Sequence, residues 1–383
     1  MTWDRSRGSS PNKEKASHAL QENAGTDSDR LNRLAMRSSE SISWFADITL
    51  SDRPAVGGKG GSLGELAHAG IAVPPGFVIR TTAFERFIAA LEEDGPIRAG
   101  VAELEGHDLN GITALSENLR ARLEQAPLPD SVHMEIVGAH TDFCGENNWP
   151  LAVRSSATTE DAEGRSFAGL QDTFLWVMGA QAVLNRVRSC WASLYSVPSI
   201  AYRRKHRIPE NTVAMAVVVQ RMVDARSAGV MFTRSPLTGD RSVVTLEATW
   251  GLGSALVSGE VTPDRFVISK ITGEISVRHI SDKHIQHVPG AGGGTREVDT
   301  PENLRRESSV SDQELAALKD IARKVERHYG QPQDIEWAID RSGEILVLQS
   351  RPETVWAARD QTPVAKPTEN PLLHVMNIFG GRR

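Results

Sequence analysis

The stretch that most constrains how this chain can fold covers residues 334–351, DIEWAIDRSGEILVLQSR. In its first half Ile335, Trp337 and Ile339 alternate with polar or small residues, which is the period-two pattern of a half-buried strand. Residues 340–343 have the composition of a turn, and a second apolar run follows them. The pattern predicts a β-hairpin, so this part of the chain belongs to a sheet.

The hairpin also predicts a set of neighbours. If the four turn residues close it, Asp334 lies opposite Gln349 and Glu336 lies opposite Val347. Because side chains alternate along a strand, Asp334, Glu336 and Gln349 then share one face, and Arg351 lies on it as well. Carboxylate and amide oxygens beside a guanidinium suit a divalent cation held against a polyphosphate. A two-stranded ribbon with a solvated polar face is the alternative interpretation.

Composition narrows the class of protein. The 383 residues are enough for two or three domains or subdomains, and 39% of them are hydrophobic and 24% charged, as in globular proteins. A net charge of -6 argues against a nucleic-acid partner. No apolar run approaches the ~18 residues that a membrane span needs, so we expect no membrane partner. The two cysteines, Cys144 and Cys190, indicate neither a disulfide framework nor a cysteine-based zinc site, and a cytoplasmic location is expected.

Other common active-site motifs do not occur. The sequence has no HExxH zinc motif, no GxSxG nucleophile elbow and no GxGxxG dinucleotide-binding fingerprint. His284 and His287 are three residues apart, but the sequence shows no third ligand beside them. We therefore interpret them as surface residues.

The sequence divides into four predicted parts. Residues 1–42 are rich in polar and charged residues and predict a disordered leader. Residues 43–210 and 211–356 are the two ordered parts, and they hold the periodic helix and strand patterns. Residues 357–383 become polar and proline-rich again and predict a tail or linker.

A glycine-flanked lysine lies in the first ordered part. Residues 57–61, GGKGG, predict a loop, and Ser62 can cap the helix that follows. Glycines let backbone N–H groups approach an anion, and Lys59 adds a positive charge near a helix N-terminus. The spacing is not that of a Walker A loop, and a plain flexible loop is the alternative.

A second segment, residues 151–173, carries an arginine and many hydroxyl groups. A buried strand is predicted to end at Arg154, where α/β proteins often bind ligands and where a guanidinium could contact phosphate through two hydrogen bonds. A structural ion pair is the alternative for Arg154. Residues 166–173 predict a mobile loop that could close over phosphates, and a simple turn at Gly169 is the alternative there.

Five segments together resemble the N-terminal nucleotide-binding domain of the dikinase family, which includes phosphoenolpyruvate synthase, pyruvate phosphate dikinase and rifampin phosphotransferase. They occur in the family's order and cover roughly residues 43–356. The segments are VGGKGGSLGELAHAGIAVPPGFVI, AVRSSATTEDAEGRSFAGLQDTFLWV, VVVQRMVDARSAGVMFTRSPLTGD, ATWGLGSALVSGEVTPDRFVISK and HYGQPQDIEWAIDRSGEILVLQSRPETV.

The resemblance implies an α+β fold of the ATP-grasp type, in which two subdomains, residues 43–210 and 211–356, clamp ATP and Mg²⁺. It implies phosphate contacts and catalytic roles for Lys59, Arg154 and Arg351, with Asp334 beside Arg351. Glu336 and Gln349 would hold Mg²⁺. The further residues implied in ATP binding are Gly169 and Thr173 in the covering loop and Gln220, Met222 and Val223 on the adenine side.

The sequence departs from the full-length pattern of that family. The resemblance implies a reaction in which ATP pyrophosphorylates a histidine on a separate swivelling domain, and AMP and a phosphohistidine result. No histidine here lies in the family's Gly-Gly-x-x-Ser-His context; His374 is in LLHVM. We therefore expect a partner protein that carries the phosphohistidine and substrate domains, as in phenylphosphate synthase. A stand-alone kinase of a small acceptor and a non-catalytic ATP-sensing module are the alternatives.

Overall fold

The computed structural model describes residues 39–105, 108–158, 172–354 and 356. Helices and strands both occur throughout the described residues, and the predicted α+β class is confirmed. The chain forms two compact units. Unit 1 comprises residues 1–64 and 75–221, and unit 2 comprises residues 65–74 and 222–383.

The elements of unit 1 surround one antiparallel sheet, whose strand order is β1-β2-β5-β3-β4. In chain order its elements are β1 (Ile42–Trp44), α1 (Arg53–His68, whose last four residues belong to unit 2), β2 (Gly76–Ile79), α2 (Thr81–Glu92), α3 (Arg98–Glu103), α4 (Leu109–Gln125), α5 (Asp130–Cys144), β3 (Leu151–Ala157), β4 (Thr173–Val177), α6 (Ala180–Ser193), α7 (Val197–Lys205) and β5 (Met215–Arg221).

The core of unit 1 lies between this sheet and its helices. Helix α2 buries Phe84, Phe87, Ile88 and Leu91, which recur with helical spacing and form one apolar stripe. Trp191 of α6 packs against that stripe, with its ring centroid 5.1 Å from that of Phe87. This packing leaves the edges and loops of the sheet to carry polar groups.

Unit 2 contains a six-stranded antiparallel sheet in the order β13-β12-β6-β7-β8-β9 and a separate two-stranded ribbon, β10-β11. In chain order its elements are β6 (Ala225–Phe232), β7 (Val243–Trp250), α8 (Ser254–Val257), β8 (Asp264–Ser269), β9 (Ile275–His279), β10 (Ile285–Pro289), β11 (Thr295–Asp299), α9 (Glu302–Arg305), α10 (Asp312–Tyr329), β12 (Gln333–Asp340) and β13 (Ile345–Pro352).

One face of the six-stranded sheet is apolar and the other is polar. Helix α10 begins with a capping box formed by Ser311 and Glu314 and is followed by the C-cap residue Gly330, whose φ of 69° is in the left-handed region. Its buried stripe packs with the inward side chains of β6, β7, β8, β12 and β13 in a single core. The opposite face of the sheet therefore carries the polar residues that alternate with the core.

The two units differ from the predicted subdomains at their border. The border was predicted between residues 210 and 211, whereas the units divide after Arg221. Strand β5 runs without interruption to Arg221 and pairs with both β2 and β3, so it cannot be separated from unit 1. Residues 65–74 also belong to unit 2, where Leu66 and Ile71 enter the core. The predicted leader, residues 1–42, and the predicted tail, residues 357–383, lie almost wholly outside the described residues.

The glycine-rich segment predicted as a loop is part of helix α1, so that prediction is wrong. Only Gly57 departs from helical geometry, with a φ of 70°, and Ser62 is buried inside the helix instead of capping it. Close packing explains the glycines: a Cβ atom on Gly64 would lie 2.5 Å from Ile48, and one on Gly61 would lie 2.7 Å from Arg53. These glycines allow other segments to pack closely against the helix, and sequence periodicity does not predict such contacts.

The predicted hairpin at β12-β13 forms, but its predicted register is wrong. Asp334 pairs with Arg351 and Glu336 pairs with Gln349. The turn is longer than predicted, because the Asp340 N–H bonds to the Glu344 carbonyl, and a β-bulge follows Glu336. Both features shift the second strand along the first.

Among the described residues no helix is both long and apolar enough to cross a bilayer.

Candidate functional site

Strand β3 places Arg154 inside the sheet of unit 1. The strand was predicted to end at Arg154, but it continues to Ala157 and pairs with β5 over its whole length. Two serines can occupy this buried stretch because their hydroxyls have backbone partners: Ser155 Oγ donates to the Asp172 carbonyl at 3.0 Å, and Ser156 Oγ donates to the Val56 carbonyl at 2.9 Å. Arg154 is itself 8% exposed.

Thr173 lies directly beside Arg154. The two residues are cross-strand partners in the β3-β4 pair, and the Thr173 side chain is exposed. The Ser155 N–H also bonds to the Asp172 carbonyl at 3.2 Å, which extends the pairing by one residue. The structure thus brings together two of the predicted ATP-binding residues. Gly169, in the predicted covering loop, lies outside the described residues.

Lys59 occupies the first turn of α1 after the kink at Gly57. Gly57 lies against β3 so closely that a Cβ atom would be 2.1 Å from the Ser156 carbonyl oxygen. The positive φ and this close approach both require glycine there. The Gly60 N–H donates to Ser156 Oγ at 3.1 Å. Lys59 is therefore held on a turn that is fixed to the strand of Arg154.

The residues predicted on the adenine side lie at the end of β5 and just after it. Gln220 is 2% exposed and pairs with Gly76 of β2 and Ala152 of β3. Met222 and Val223 follow in the first residues of unit 2, and Val223 is buried. The chain passes from one unit to the other within this predicted segment.

In unit 2 the four predicted hairpin residues remain on one face of the sheet, despite the wrong register. Glu336 and Gln349 are direct cross-strand partners, and so are Asp334 and Arg351. The Arg351 Nε atom lies 3.5 Å from Asp334 Oδ2. Since residues two apart on a strand point to the same side, one carboxylate–amide pair and one carboxylate–guanidinium pair adjoin each other. The β-bulge after Glu336 leaves Val347 buried opposite Trp337 in the core.

Asp334 has the most perturbed acidity of this group. Burial raises the pKa of Asp334 to about 6, the Arg351 guanidinium acts in the opposite direction, and the Glu353 carboxylate raises it further. Within the described part of the chain the buried Oδ1 atom of Asp334 has no hydrogen-bond partner. A buried carboxylate oxygen in that state is costly unless a cation or a donor reaches it.

The donor set of this face fits Mg²⁺. Glu336 supplies a carboxylate and Gln349 an amide oxygen from adjacent positions, and hard divalent cations prefer such oxygen ligands. The unsatisfied Oδ1 atom of Asp334 lies in the same polar face and is available to a cation or to a metal-bound water.

Sequence reasoning missed two acidic residues near this group. Glu353 is 7% exposed, its Oε1 accepts from the Trp356 N–H at 2.8 Å, and its charge acts on Asp334. Glu247 of β7 lies in the same row as Glu336, because both residues are register partners of Val230. Strand spacing puts Glu247 roughly 10 Å from Glu336. The alternation of side chains along β7 could have predicted that Glu247 lies on this face. Glu353 follows the end of β13, where alternation does not predict the direction of a side chain.

Elsewhere in unit 2 His287 has neighbours that the sequence did not reveal. Among the described residues His287, Glu260 and Glu297 bring ligand-type atoms within 4.8 Å of one another, and His284 is not part of this group. Glu297 is the cross-strand partner of His287. However, His287 Nε2 lies 2.8 Å from Glu260 and Nδ1 lies 2.8 Å from Ser254 Oγ. Because both ring nitrogens have protein partners, contacts with Glu260 and Ser254 account for this cluster without a metal.

Comparison with protein-family models matches residues 53–371 to the family described as pyruvate phosphate dikinase, AMP/ATP-binding domain. The chain belongs to this family. The predicted family is confirmed, and the polar face of β12-β13 is part of an AMP/ATP-binding domain.

Three relatives illustrate the range of the family. The chain is 39% identical over 316 residues to a probable phosphoenolpyruvate synthase of Methanocaldococcus jannaschii, covering 82% of this chain and 26% of the relative. It is 42% identical over 309 residues to a rifampicin phosphotransferase of a Streptomyces species, covering 80% and 35%. It is 40% identical over 362 residues to phosphoenolpyruvate synthase of Aeropyrum pernix, covering 86% and 44%. The chain thus spans less than half the length of each relative.

One solved structure, the ADP complex of N5-carboxyaminoimidazole ribonucleotide synthetase, matches 65% of this chain and 58% of that one, with 12% sequence identity and a TM-score of 0.22. A likeness at that level does not bear on the fold. The ATP-grasp assignment rests on membership of the dikinase family.

Proposed function

We propose that this chain is the ATP-binding component of a dikinase-type phosphotransferase, which transfers the β-phosphoryl group of ATP to a histidine on a partner protein. The observation that carries the proposal is the polar face of β12-β13 in a chain of the AMP/ATP-binding family, where Glu336 faces Gln349 and Asp334 faces Arg351. These are the residues that the family resemblance assigns to the metal and the phosphates.

Each unit contributes a distinct set of charges. In unit 1, Lys59 and Arg154 bind phosphate oxygens, and Thr173, the cross-strand partner of Arg154, binds beside them. In unit 2, Arg351 neutralises negative charge on the transferring phosphoryl group. Phosphoryl transfer depends mainly on such positioning and charge stabilisation.

Glu336 and Gln349 hold Mg²⁺ in this proposal. The bound ion would supply charge neutralisation on the phosphate oxygens. Asp334 keeps the Arg351 guanidinium in place through their ion pair, so that the arginine presents its remaining N–H donors to the phosphate. Gln220, Met222 and Val223 bind the adenine side.

The reaction then proceeds with a histidine as nucleophile. A ring nitrogen of the partner's histidine attacks the β-phosphorus of ATP, the bond from that phosphorus to the oxygen shared with the α-phosphate breaks, and AMP leaves. Water or phosphate next removes the terminal phosphate, and a phosphohistidine remains. No histidine of this chain has the sequence context of the family's phosphorylated residue. In this proposal the nucleophile is on a partner, and the final acceptor is the molecule that the partner binds, in the manner of a phosphoenolpyruvate synthase or a phenylphosphate synthase.

The experiment uses the purified chain, Mg²⁺ and ATP labelled at its β-phosphate, with and without a candidate partner that carries a histidine domain. We expect AMP and acid-labile label on the partner's histidine only when both proteins are present. Turnover of a small acceptor by the chain alone would replace this proposal with a stand-alone kinase. Saturable ATP binding with no AMP formed under any condition would indicate an ATP-sensing module instead.

A further inference from the structure

Ser156 stands apart from the other polar residues of unit 1 because it bonds to both sides of one turn. Its Oγ atom donates to the Val56 carbonyl at 2.9 Å and accepts from the Gly60 N–H at 3.1 Å. Gly57, with a φ of 70°, lies between those two contacts. One hydroxyl therefore bonds to the residues before and after the kink in α1, although Ser156 lies about a hundred positions from them in sequence.

The turn held in this way carries Lys59. The N–H of Gly60 belongs to the first turn of the helix after the kink, where N–H groups lack partners within the helix. Ser156 thus acts as a cap supplied by another element. Substitution of the hydroxyl would leave the Val56 carbonyl and the Gly60 N–H without this partner in a region that excludes solvent, since Ser156 is 0% exposed.

The same residue also relates that turn to Arg154. Ser156 and Arg154 are two residues apart on β3, so their side chains leave the strand on the same side with Cα atoms roughly 7 Å apart. Strand β3 is paired on both sides, with β5 and β4, and is rigid for that reason. A turn bonded to Ser156 is consequently held at a fixed offset from the Arg154 guanidinium.

We infer that Ser156 is a positioning residue that sets the spacing of Lys59 and Arg154 for the phosphates of ATP. The inference rests on the proposed function, because in that proposal the phosphates of ATP contact both Lys59 and Arg154. Ser156 does not contact the nucleotide itself. Its effect appears in the affinity for phosphates and not in the affinity for the nucleoside.

The test compares ATP and adenosine binding by isothermal titration calorimetry on the full chain. For Ser156→Ala we expect the Kd of ATP to rise on the order of 10-fold, the size of effect expected when the charge-assisted hydrogen bond from Lys59 to phosphate is weakened, while the Kd of adenosine is unchanged. Ser193→Ala is the matched control, because Ser193 is also a buried serine of unit 1 whose hydroxyl bonds to a backbone carbonyl, that of Cys190 at 2.6 Å. It should change neither affinity.

Two further measurements separate positioning from a general loss of structure. In the Lys59→Ala background, Ser156→Ala should weaken ATP binding by much less, since the serine acts through that lysine. Ser156→Cys fills the same space but accepts hydrogen bonds weakly, so an intermediate loss is expected, and it replaces Ser156→Ala if that variant does not fold.

The outcomes distinguish the two proposals. If the unaltered chain binds ATP no more tightly than adenosine, the proposed function fails. If the unaltered chain prefers ATP and both Ser156 variants keep that preference in full, the positioning role is overturned while the function stands. Equal weakening of ATP binding and adenosine binding would also overturn the positioning role, because that result would indicate general damage to the structure.

Discussion

Glu336 and Gln349 lie opposite each other on the outer pair of strands of unit 2, and the neighbouring pair is Asp334 and Arg351. Their common face is as predicted because the partner of Asp334 differs from the predicted one by two residues, and a shift of an even number keeps each side chain on the same face. The sequence could therefore predict which residues converge, although not which of them face each other. The predicted partners are wrong because the longer turn and the bulge after Glu336 both shift the register, and no residue type marks the position of the bulge.

The role of Glu336 can be tested at that single side chain. Glu336→Ala removes a carboxylate proposed to hold Mg²⁺, and we expect ATP turnover with the partner to fall by about 10²–10³-fold. AMP release measured over a range of Mg²⁺ concentrations should show the loss at every concentration. Glu344→Ala, an exposed glutamate at the turn of the same hairpin, is the control and should retain activity. Full activity in Glu336→Ala would remove this residue from the site.

Elements rather than single residues explain the remaining differences between prediction and structure. The glycines of α1 predict a loop because glycine disfavours helices, yet Gly61 and Gly64 allow Arg53 and Ile48 to pack against the helix. The polar serines after Arg154 predict that strand β3 ends there. The strand continues, however, because the serine hydroxyls bond to backbone groups from distant segments. Local propensity was overridden by tertiary contacts in both cases, and such contacts cannot be derived from one sequence.

The attachment of α5 to the first strand of unit 1 gives a pH-dependent element. Glu135 of α5 accepts from the Ser41 N–H at 3.0 Å, from Arg86 of α2 at 2.9 Å and from the Ser39 hydroxyl. Burial acts to raise the pKa of Glu135, but these hydrogen bonds outweigh it and hold the pKa below its usual value of 4.5. The stability that these contacts contribute is thus present above pH 4.5 and is lost as the pH falls through the lowered pKa.

Glu135→Gln should reduce that dependence. We expect the variant to melt at a lower temperature than the unaltered chain at neutral pH, since an amide is a weaker acceptor for Arg86. The difference should shrink as the pH is lowered from about 7 to about 3, because the unaltered chain protonates and loses the same contacts. Circular dichroism melts across this range provide the measurement, with Glu117→Gln, an exposed glutamate of α4, as control. A difference that is constant over the whole range would contradict the assignment.

At the scale of the whole molecule, the chain divides its predicted ATP-binding residues between two units. Unit 1 carries Lys59 and Arg154, and unit 2 carries the polar face of β12-β13. The resemblance to the dikinase family implies two subdomains, but it does not indicate that residues 65–74 join the second unit. Residues 65–74 join unit 2 because Leu66 and Ile71 are buried in its core, whose other buried residues lie far from them in sequence.

This division predicts where ATP stabilises the chain. A ligand that binds only the folded state at 100 times its Kd adds about 2.7 kcal/mol to the free energy of unfolding. If both sets of residues bind ATP with Mg²⁺, slowed amide hydrogen exchange should appear in β3 of unit 1 and in β12 and β13 of unit 2. Adenosine should give less protection at β12 and β13, because it lacks the phosphates that Arg351 and the metal would contact. Glu336→Ala should remove the protection of those two strands and leave that of β3, since Lys59 and Arg154 are unaltered. Protection confined to unit 1 in the unaltered chain would mean that the polar face of β12-β13 takes no part in binding ATP.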